Sequence, residues 1–143
     1  MHESLTIALL QARETAMSWF RPVLNHYNLT EQQWRVIRTL AEEHSVDFHR
    51  LAVKACILRP SLTGILTRLE RDGLVVRLKP VNDQRRLFVS LTPQGDELFQ
   101  KARGEIDAGY SQIETRFGPE KLRQLQHLLE EFNDLKPETA END

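Results

Sequence analysis

The stretch that decides the fold runs from Leu58 to Thr92 and opens, at residues 58–73, with LRPSLTGILTRLERDG. This opening run predicts a short helix, because Pro60 fits a first helical turn and Gly73 supplies a left-handed residue that ends one. The apolar residues form one stripe at helical spacing, namely Leu62, Ile65, Leu66 and Leu69. The opposite face is small, hydroxylated and basic, with Ser61, Thr63, Gly64, Thr67, Arg68 and Arg71. Such a face suits a helix that lies in a DNA groove, although an ordinary solvated amphipathic helix has the same pattern.

Two β-prone runs follow this helix, at residues 74–78 and 87–91. The connection between them, residues 79–86, is too long for a tight hairpin and contains Pro, Asn and Asp, which predicts a projecting loop. Helix, glycine, strand, loop and strand is the order of a winged helix. The loop's predicted contacts to a polyanion are the basic residues Lys79, Arg85 and Arg86, with Asp83 orienting a wing arginine.

The charge of the chain is concentrated in this segment. Residues 58–92 contain seven Lys or Arg, Arg59 among them, and three acids, a local balance of +4. The whole chain carries −2, so the remaining residues sum to −6. Residues 93–143 contain six bases and twelve acids. The distribution predicts nucleic-acid contact by the central segment and not by the C-terminal one.

Three runs of this sequence together resemble the MarR family of bacterial transcription regulators. They are LERDGLVVR at residues 69–77, NDQRR at 82–86 and VSLTPQG at 89–95. The run LTEQQWRVIRTL at residues 29–40 also fits, so the resemblance covers nearly the whole chain. It implies a homodimeric repressor that binds a pseudo-palindromic operator in double-stranded DNA.

Within the family the chain is most similar to members that repress aromatic-acid degradation. That resemblance implies release from DNA by an aromatic carboxylate, such as 4-hydroxyphenylacetate or homoprotocatechuate, with an arginine meeting the carboxylate. The residues at the matching place are Arg13, Met17, Trp19, Phe20, Trp34 and Arg38. The alternative is that Trp19 and Trp34 are core residues and that Arg13 faces solvent or nearby acids.

The flanking segments read as helices. Apolar residues recur at threes and fours over residues 5–27 and predict one long helix that is kinked at Pro22. Thr30 with Gln33 predicts a capping box, and Asp47 predicts the cap of a short helix before the turn.

The C-terminal third predicts two helices. The first begins at Thr92-Pro93 and carries a stripe that includes Phe99, Ala102, Ile106, Tyr110 and Ile113, which is too long for this small domain to cover. A second copy would cover it. The predicted fold is mainly α with a two-stranded wing, as a single domain with these parts: dimerisation helices at 1–28 and 93–136, a winged helix-turn-helix at 29–92, and a disordered tail at 137–143.

Other classes of function find little support in the residues. No phosphate loop, nucleophile motif or metal-ligand spacing occurs, so no catalytic residue, cofactor or metal ligand is predicted. A single cysteine and the lack of a signal or membrane segment predict a cytoplasmic protein. Two alternatives remain open: a regulator of the same fold that responds to metal or to oxidation of Cys56, which its apolar neighbours predict to be buried and inert, or a helical protein-interaction module without DNA binding.

Overall fold

The computed structural model describes residues 3–83 and 85–137. Within them the chain forms seven helices and three strands: α1 (Leu5–Met17), α2 (Arg21–His26), α3 (Glu31–Glu43), β1 (Val46–Asp47), α4 (Phe48–Ala55), α5 (Arg59–Arg71), β2 (Val75–Leu78), β3 (Phe88–Leu91), α6 (Pro93–Phe117) and α7 (Pro119–Asn133). The chain divides into two compact units, Met1–Ile106 and Asp107–Asp143. The predicted disordered tail lies outside the described residues, apart from Pro137.

The N-terminal segment forms two helices, so the prediction of a single kinked helix was wrong. α1 ends at Ser18, whose N–H donates to the carbonyls of Glu14 and Thr15 at 3.1 and 3.2 Å. Pro22 lies in the first turn of α2. A proline ring starts a helix there more readily than it kinks one, because it lacks a donor and clashes with a preceding turn. The Arg21 guanidinium spans the break and donates to the Glu14 carboxylate at 2.7 and 2.8 Å.

The helix-turn-helix begins where its capping residues predict. The Gln33 N–H donates to the Thr30 hydroxyl and the Thr30 N–H donates to the Gln33 side chain, each at 3.0 Å, which confirms the capping box. The Asp47 carboxylate accepts from the His49 N–H at 2.9 Å and caps α4, also as predicted. Between α4 and α5 the chain turns at Cys56, which has a left-handed φ of 57°.

Burial of one side of α5 fixes which side faces outward. The side chains of Leu62, Leu66 and Leu69 are fully buried, in one core with Ile37 and Leu51 of the two preceding helices. Burying each such side chain stabilises the fold by about 1.5–3 kcal/mol. Rotating α5 about its axis would lose several of these contributions, so its outer face is set by the core.

The sheet contains the two predicted wing strands, β2 and β3, and a third strand, β1, that was not predicted. β2 pairs antiparallel with β3, with Val75 opposite Leu91. β1 pairs antiparallel with the other edge of β3, with Val46 opposite Val89, so the order is β1-β3-β2. A two-residue strand has no alternation to recognise. Its strand character comes only from its partner.

The first part of α6 packs on the helix-turn-helix core. Phe99, Ala102 and Ile106 are only 8%, 0% and 6% exposed, and the Phe99 ring stacks on Trp34 with centroids 5.4 Å apart. The prediction that the whole α6 stripe lacks cover within the chain was wrong for these three residues, because the helix returns over α3.

Apolar surface remains exposed on the terminal helices. No residue of α1 is buried, and four of its apolar side chains are 37–62% exposed: Leu5, Ile7, Leu9 and Leu10. In the second unit α7 buries Leu122 and leaves four large side chains 37–60% exposed: Leu125, Leu128, Leu129 and Phe132. Over residues 3–83 and 85–137, none of the helices has the length and hydropathy to span a membrane.

Candidate nucleic-acid interface

The outer side of α5 presents the residues that the sequence predicted for base and phosphate contact. We call this surface the reading face, and all six members are exposed: Ser61, Thr63, Gly64, Thr67, Arg68 and Arg71. The Thr67 hydroxyl donates to the Thr63 carbonyl at 3.0 Å, and Arg71 lies 3.2 Å from the Asp72 carboxylate. These contacts are on the solvent side, where a groove edge or a phosphate can replace them.

Gly64 lies at the middle of the reading face and has no packing reason to be glycine. A Cβ built there meets no other atom within 4 Å. Glycine inside a helix is less favourable than alanine by about 1 kcal/mol. Nothing in the described chain recovers that loss. Its position instead leaves room for close approach of a second molecule to the α5 backbone.

An ion pair holds the end of α5 against the wing strand. Arg77 of β2 donates to the Glu70 carboxylate at 2.8 Å. This hydrogen bond lowers the pKa of Glu70 and raises that of Arg77. Between them Gly73 has the predicted left-handed φ of 77°. The LERDGLVVR run therefore contains an ion pair that fixes α5 relative to the sheet.

A second fixed joint connects the sheet to α6. The Thr92 hydroxyl donates to the Gly73 carbonyl at 2.7 Å and accepts from the Gly95 N–H at 3.0 Å. A Cβ on Gly95 would lie 2.2 Å from the Leu74 carbonyl oxygen, which excludes any side chain there. Thr92 and Gly95 of the VSLTPQG run are thus required by the packing of α6 against Gly73 and Leu74, which follow α5.

The two wing arginines have different surroundings. Arg85 is 96% exposed at its side chain, and its Nε lies 3.6 Å from Asp83. The Asp83 carboxylate also accepts from the Arg85 N–H at 3.1 Å, a contact that fits the orienting role predicted for this acid. Arg85 is held at its backbone while its side chain projects into solvent.

Arg86 is held at the base of the wing. Its Nε lies 3.7 Å from the Asp47 carboxylate, and its guanidinium lies over the Phe88 ring at 4.7 Å. Asp47 therefore has two roles, because one oxygen caps α4 and the other pairs with Arg86. The sequence indicated only the first role. Pairing with a residue so distant along the chain leaves no local signal.

A cationic cleft of about 320 Å³ lies between the wing base and the helix-turn-helix, lined by Asp47, Phe48, His49, Thr63, Arg85, Arg86 and Leu87. At its edge the Arg59 guanidinium donates to Nδ1 of His49 at 2.9 Å. His49 is a candidate that the sequence analysis missed. Its signal was the position beside a helix cap, in the helix that crosses the backbone in helix-turn-helix proteins.

The residues predicted to bind an effector are divided among separate contacts. Arg13 hydrogen-bonds to Glu31, whose carboxylate also lies 3.8 Å from Nε of Arg35. Trp34 is buried against α6, and Arg38 pairs with Glu42 at 3.2 Å on the surface. Three further candidates are half-buried: Met17, Trp19 and Phe20. An effector role for these residues stays a prediction.

Cys56 differs from its prediction. It is exposed and not buried, because the left-handed turn directs it away from Ala55 and Ile57, which enter the core. The Arg35 guanidinium donates to its carbonyl at 3.2 Å and holds the turn. Over the described ranges, no group of three or more His, Cys, Asp or Glu is arranged to hold a metal ion.

An exposed reading face backed by a buried stripe, next to a basic wing, defines the class of winged helix-turn-helix DNA-binding proteins. Comparison with known proteins agrees. A family model described as MarR family matches residues 29–87. The chain belongs to the MarR family of transcription regulators.

Three similar proteins illustrate the match. The homoprotocatechuate degradative operon repressor of Escherichia coli is 67% identical over 132 residues, which cover 92% of this chain and 89% of that protein. The HTH-type transcriptional regulator FarR of Neisseria gonorrhoeae is 57% identical over 131 residues, covering 92% and 90%. The crystal structure of NadR in complex with 4-hydroxyphenylacetate is 56% identical, with a TM-score of 0.82 and coverage of 94% and 96%.

Proposed function

We propose that the protein is a homodimeric repressor of an aromatic-acid catabolic operon that leaves its operator when an aromatic carboxylate binds. The observation that carries DNA binding is the reading face with the wing. Exposed cations surround a glycine that no packing contact among the described residues requires, on a helix fixed by two joints. The pathway is inferred from the 67% identical relative, which is named for the homoprotocatechuate operon.

The dimer is supported by the apolar surface of the terminal helices. The exposed side chains of α1 and α7 are too many for a soluble monomer, and a second copy is their simplest cover. We place the interface in residues 1–28 and the later part of 93–136, since the first turns of α6 are already buried. The rest, residues 29–92, would bind one half-site per subunit. Two such subunits fit a pseudo-palindromic operator whose half-sites lie ~34 Å apart.

The effector is proposed to be 4-hydroxyphenylacetate or homoprotocatechuate. Arg13 is the proposed carboxylate partner, and Glu31 now occupies the place of that carboxylate. Exchange is chemically simple, because Glu31 keeps Arg35 nearby at 3.8 Å when it releases Arg13. The rings of Trp19 and Trp34, with Met17 and Phe20, would surround the aromatic ring.

Binding to fragmented genomic DNA, followed by sequencing of the retained fragments, tests the proposal. We expect enrichment of a pseudo-palindrome beside genes for aromatic-acid degradation, and release on titration with 4-hydroxyphenylacetate. The location implied is the cytoplasm, where the operator is. Retention of DNA without any shared sequence would contradict the repressor, and an unaffected complex would contradict the effector class alone.

Arg13 is tested with a matched variant. Arg13→Ala should bind the operator like the unmodified protein and lose release by the ligand. The matched variant is Arg38→Ala. Arg38 is also a predicted ligand residue, and it pairs with Glu42 at the surface. Comparing release from the two variants shows whether Arg13 or Arg38 meets the carboxylate. Equal release from the Arg13 variant and the unmodified protein would show that Arg13 does not hold the carboxylate.

A further inference from the structure

Leu58 lies at the start of α5, the helix that carries the reading face, and no structural role accounts for a leucine there. It is the N-cap of α5, where its side chain makes no capping hydrogen bond, and it is 78% exposed. Ser, Thr, Asp or Asn at an N-cap is more stabilising than an aliphatic residue by about 1 kcal/mol. Leucine here neither caps the helix nor enters the core.

A second exposed aliphatic side chain, that of Val53, borders the same depression as Leu58. Val53 on α4 is also 78% exposed. Together they border a depression of about 340 Å³ that has a mainly aliphatic wall, lined by His49, Ala52, Val53, Ile57, Leu58 and Arg59. The floor is formed by Ala52 and Ile57, which are buried. We call this depression the apolar hollow, and it lies beside the cationic cleft described above.

The location of the hollow restricts what can occupy it. Its lining includes Arg59 at the N-terminal end of α5, the end of a recognition helix that reaches base edges in helix-turn-helix proteins. In the major groove the apolar group on a base edge is the C5 methyl of thymine. A second copy is a poorer occupant, because α1 and α7 supply a larger apolar surface elsewhere.

We propose that Leu58, with Val53 beside it, packs on the C5 methyl of a thymine in each operator half-site and makes that position specific for thymine. The inference rests on the proposed function and extends it to sequence discrimination. Hydrophobic contact here replaces a hydrogen bond, so the preference is for the methyl group itself. Thymine and uracil differ only in that group.

A deoxyuridine scan of the operator tests the proposal. Each thymine in a synthetic operator is replaced by deoxyuridine, and affinity is measured by fluorescence anisotropy. We expect a loss of about fourfold at one position in each half-site, equivalent to ~0.8 kcal/mol at 1.4 kcal/mol per tenfold. Replacing both symmetric thymines should lower affinity by about sixteenfold. Leu58→Ser, which supplies a good N-cap, should bind both duplexes equally.

Two controls keep the outcome interpretable. Val81→Ser removes an exposed apolar residue of the wing, 95% exposed, and should keep the thymine preference. Leu58→Ala repeats the test without a new hydroxyl, with thermal unfolding to show that each variant is folded. Unchanged thymine discrimination in both Leu58 variants would overturn the proposal, as would a flat scan with the unmodified protein. Failure of the unmodified protein to bind any operator would instead overturn the proposed function, and this inference with it.

Discussion

Asp47 connects the wing to the helix-turn-helix, and substituting it separates its two roles. Asn in place of Asp47 keeps an oxygen that can cap α4 but removes the charge that pairs with Arg86. Asn and Asp are about equal as N-caps, whereas Ala at such a position costs about 1 kcal/mol. The difference between Asp47→Asn and Asp47→Ala in the free energy of unfolding therefore measures the cap alone.

The ion pair contributes less to stability than to DNA binding. At the observed 3.7 Å, two unit charges in a water-like dielectric attract by about 1 kcal/mol. The Arg86 side chain is 54% exposed and that of Asp47 25%, so screening reduces the net contribution below ~1 kcal/mol. Asp47→Asn should thus lower stability only slightly.

The effect on DNA should be larger and of opposite sign. Removing the partner frees Arg86 to neutralise a phosphate, and one further contact steepens the slope of log affinity against log salt by ~0.9 per subunit, or ~1.8 per dimer. We expect tighter binding to random duplexes at low salt and a smaller ratio of specific to random affinity.

The assay is anisotropy with operator and random duplexes over a salt series. The matched control is Glu42→Gln, which makes the same charge change by removing the partner of Arg38 on α3, at 3.2 Å. Its salt slope should equal that of the unmodified protein. An Asp47→Asn slope equal to that of the unmodified protein would refute the gain of a phosphate contact by Arg86, and a similar change in Glu42→Gln would show that net charge alone is responsible.

Three other outcomes are expected. Gly64→Ala should raise the free energy of unfolding by up to ~1 kcal/mol and weaken operator binding, whereas Gly104→Ala, equally open at its Cβ, should give the same stabilisation without the DNA effect. Glu70→Gln should lower the melting temperature above pH ~4.3, the unfolded pKa, and the gap should close as pH falls through the depressed folded pKa. Cys56→Ser should leave operator binding and effector release unchanged, with and without peroxide. Thermal melts and anisotropy measure all three, and loss of peroxide-induced release in the last variant would favour an oxidation sensor.

The parts of the fold that were predicted from sequence have local causes. The bounds of α5 follow from Pro60 and Gly73, and the starts of α3 and α4 follow from Thr30 and Asp47, each through atoms a few residues away. The outer face of α5 was predictable because its buried stripe has helical period.

The parts that were missed depend on distant partners. β1 is a strand only because Val46 meets Val89, and the α6 stripe is covered because Phe99 returns to Trp34. The pairing of Arg86 with Asp47 has the same origin. A single sequence gives the types of residue that can pair but not which of them meet, so the effector residues remain the least determined part of the candidate site.

The close contact between Gly95 and the Leu74 carbonyl makes the end of α5 and the beginning of α6 move as one rigid unit. With a Cβ excluded at 2.2 Å and Thr92 bonded to both sides, no hinge is available at that joint. α5 has 13 residues and is ~20 Å long, so a tilt of about 10° transmitted through the joint would displace its far end by roughly 3–4 Å. An effector would then need only a slight rotation of the first turns of α6 to move the reading face out of register with its groove.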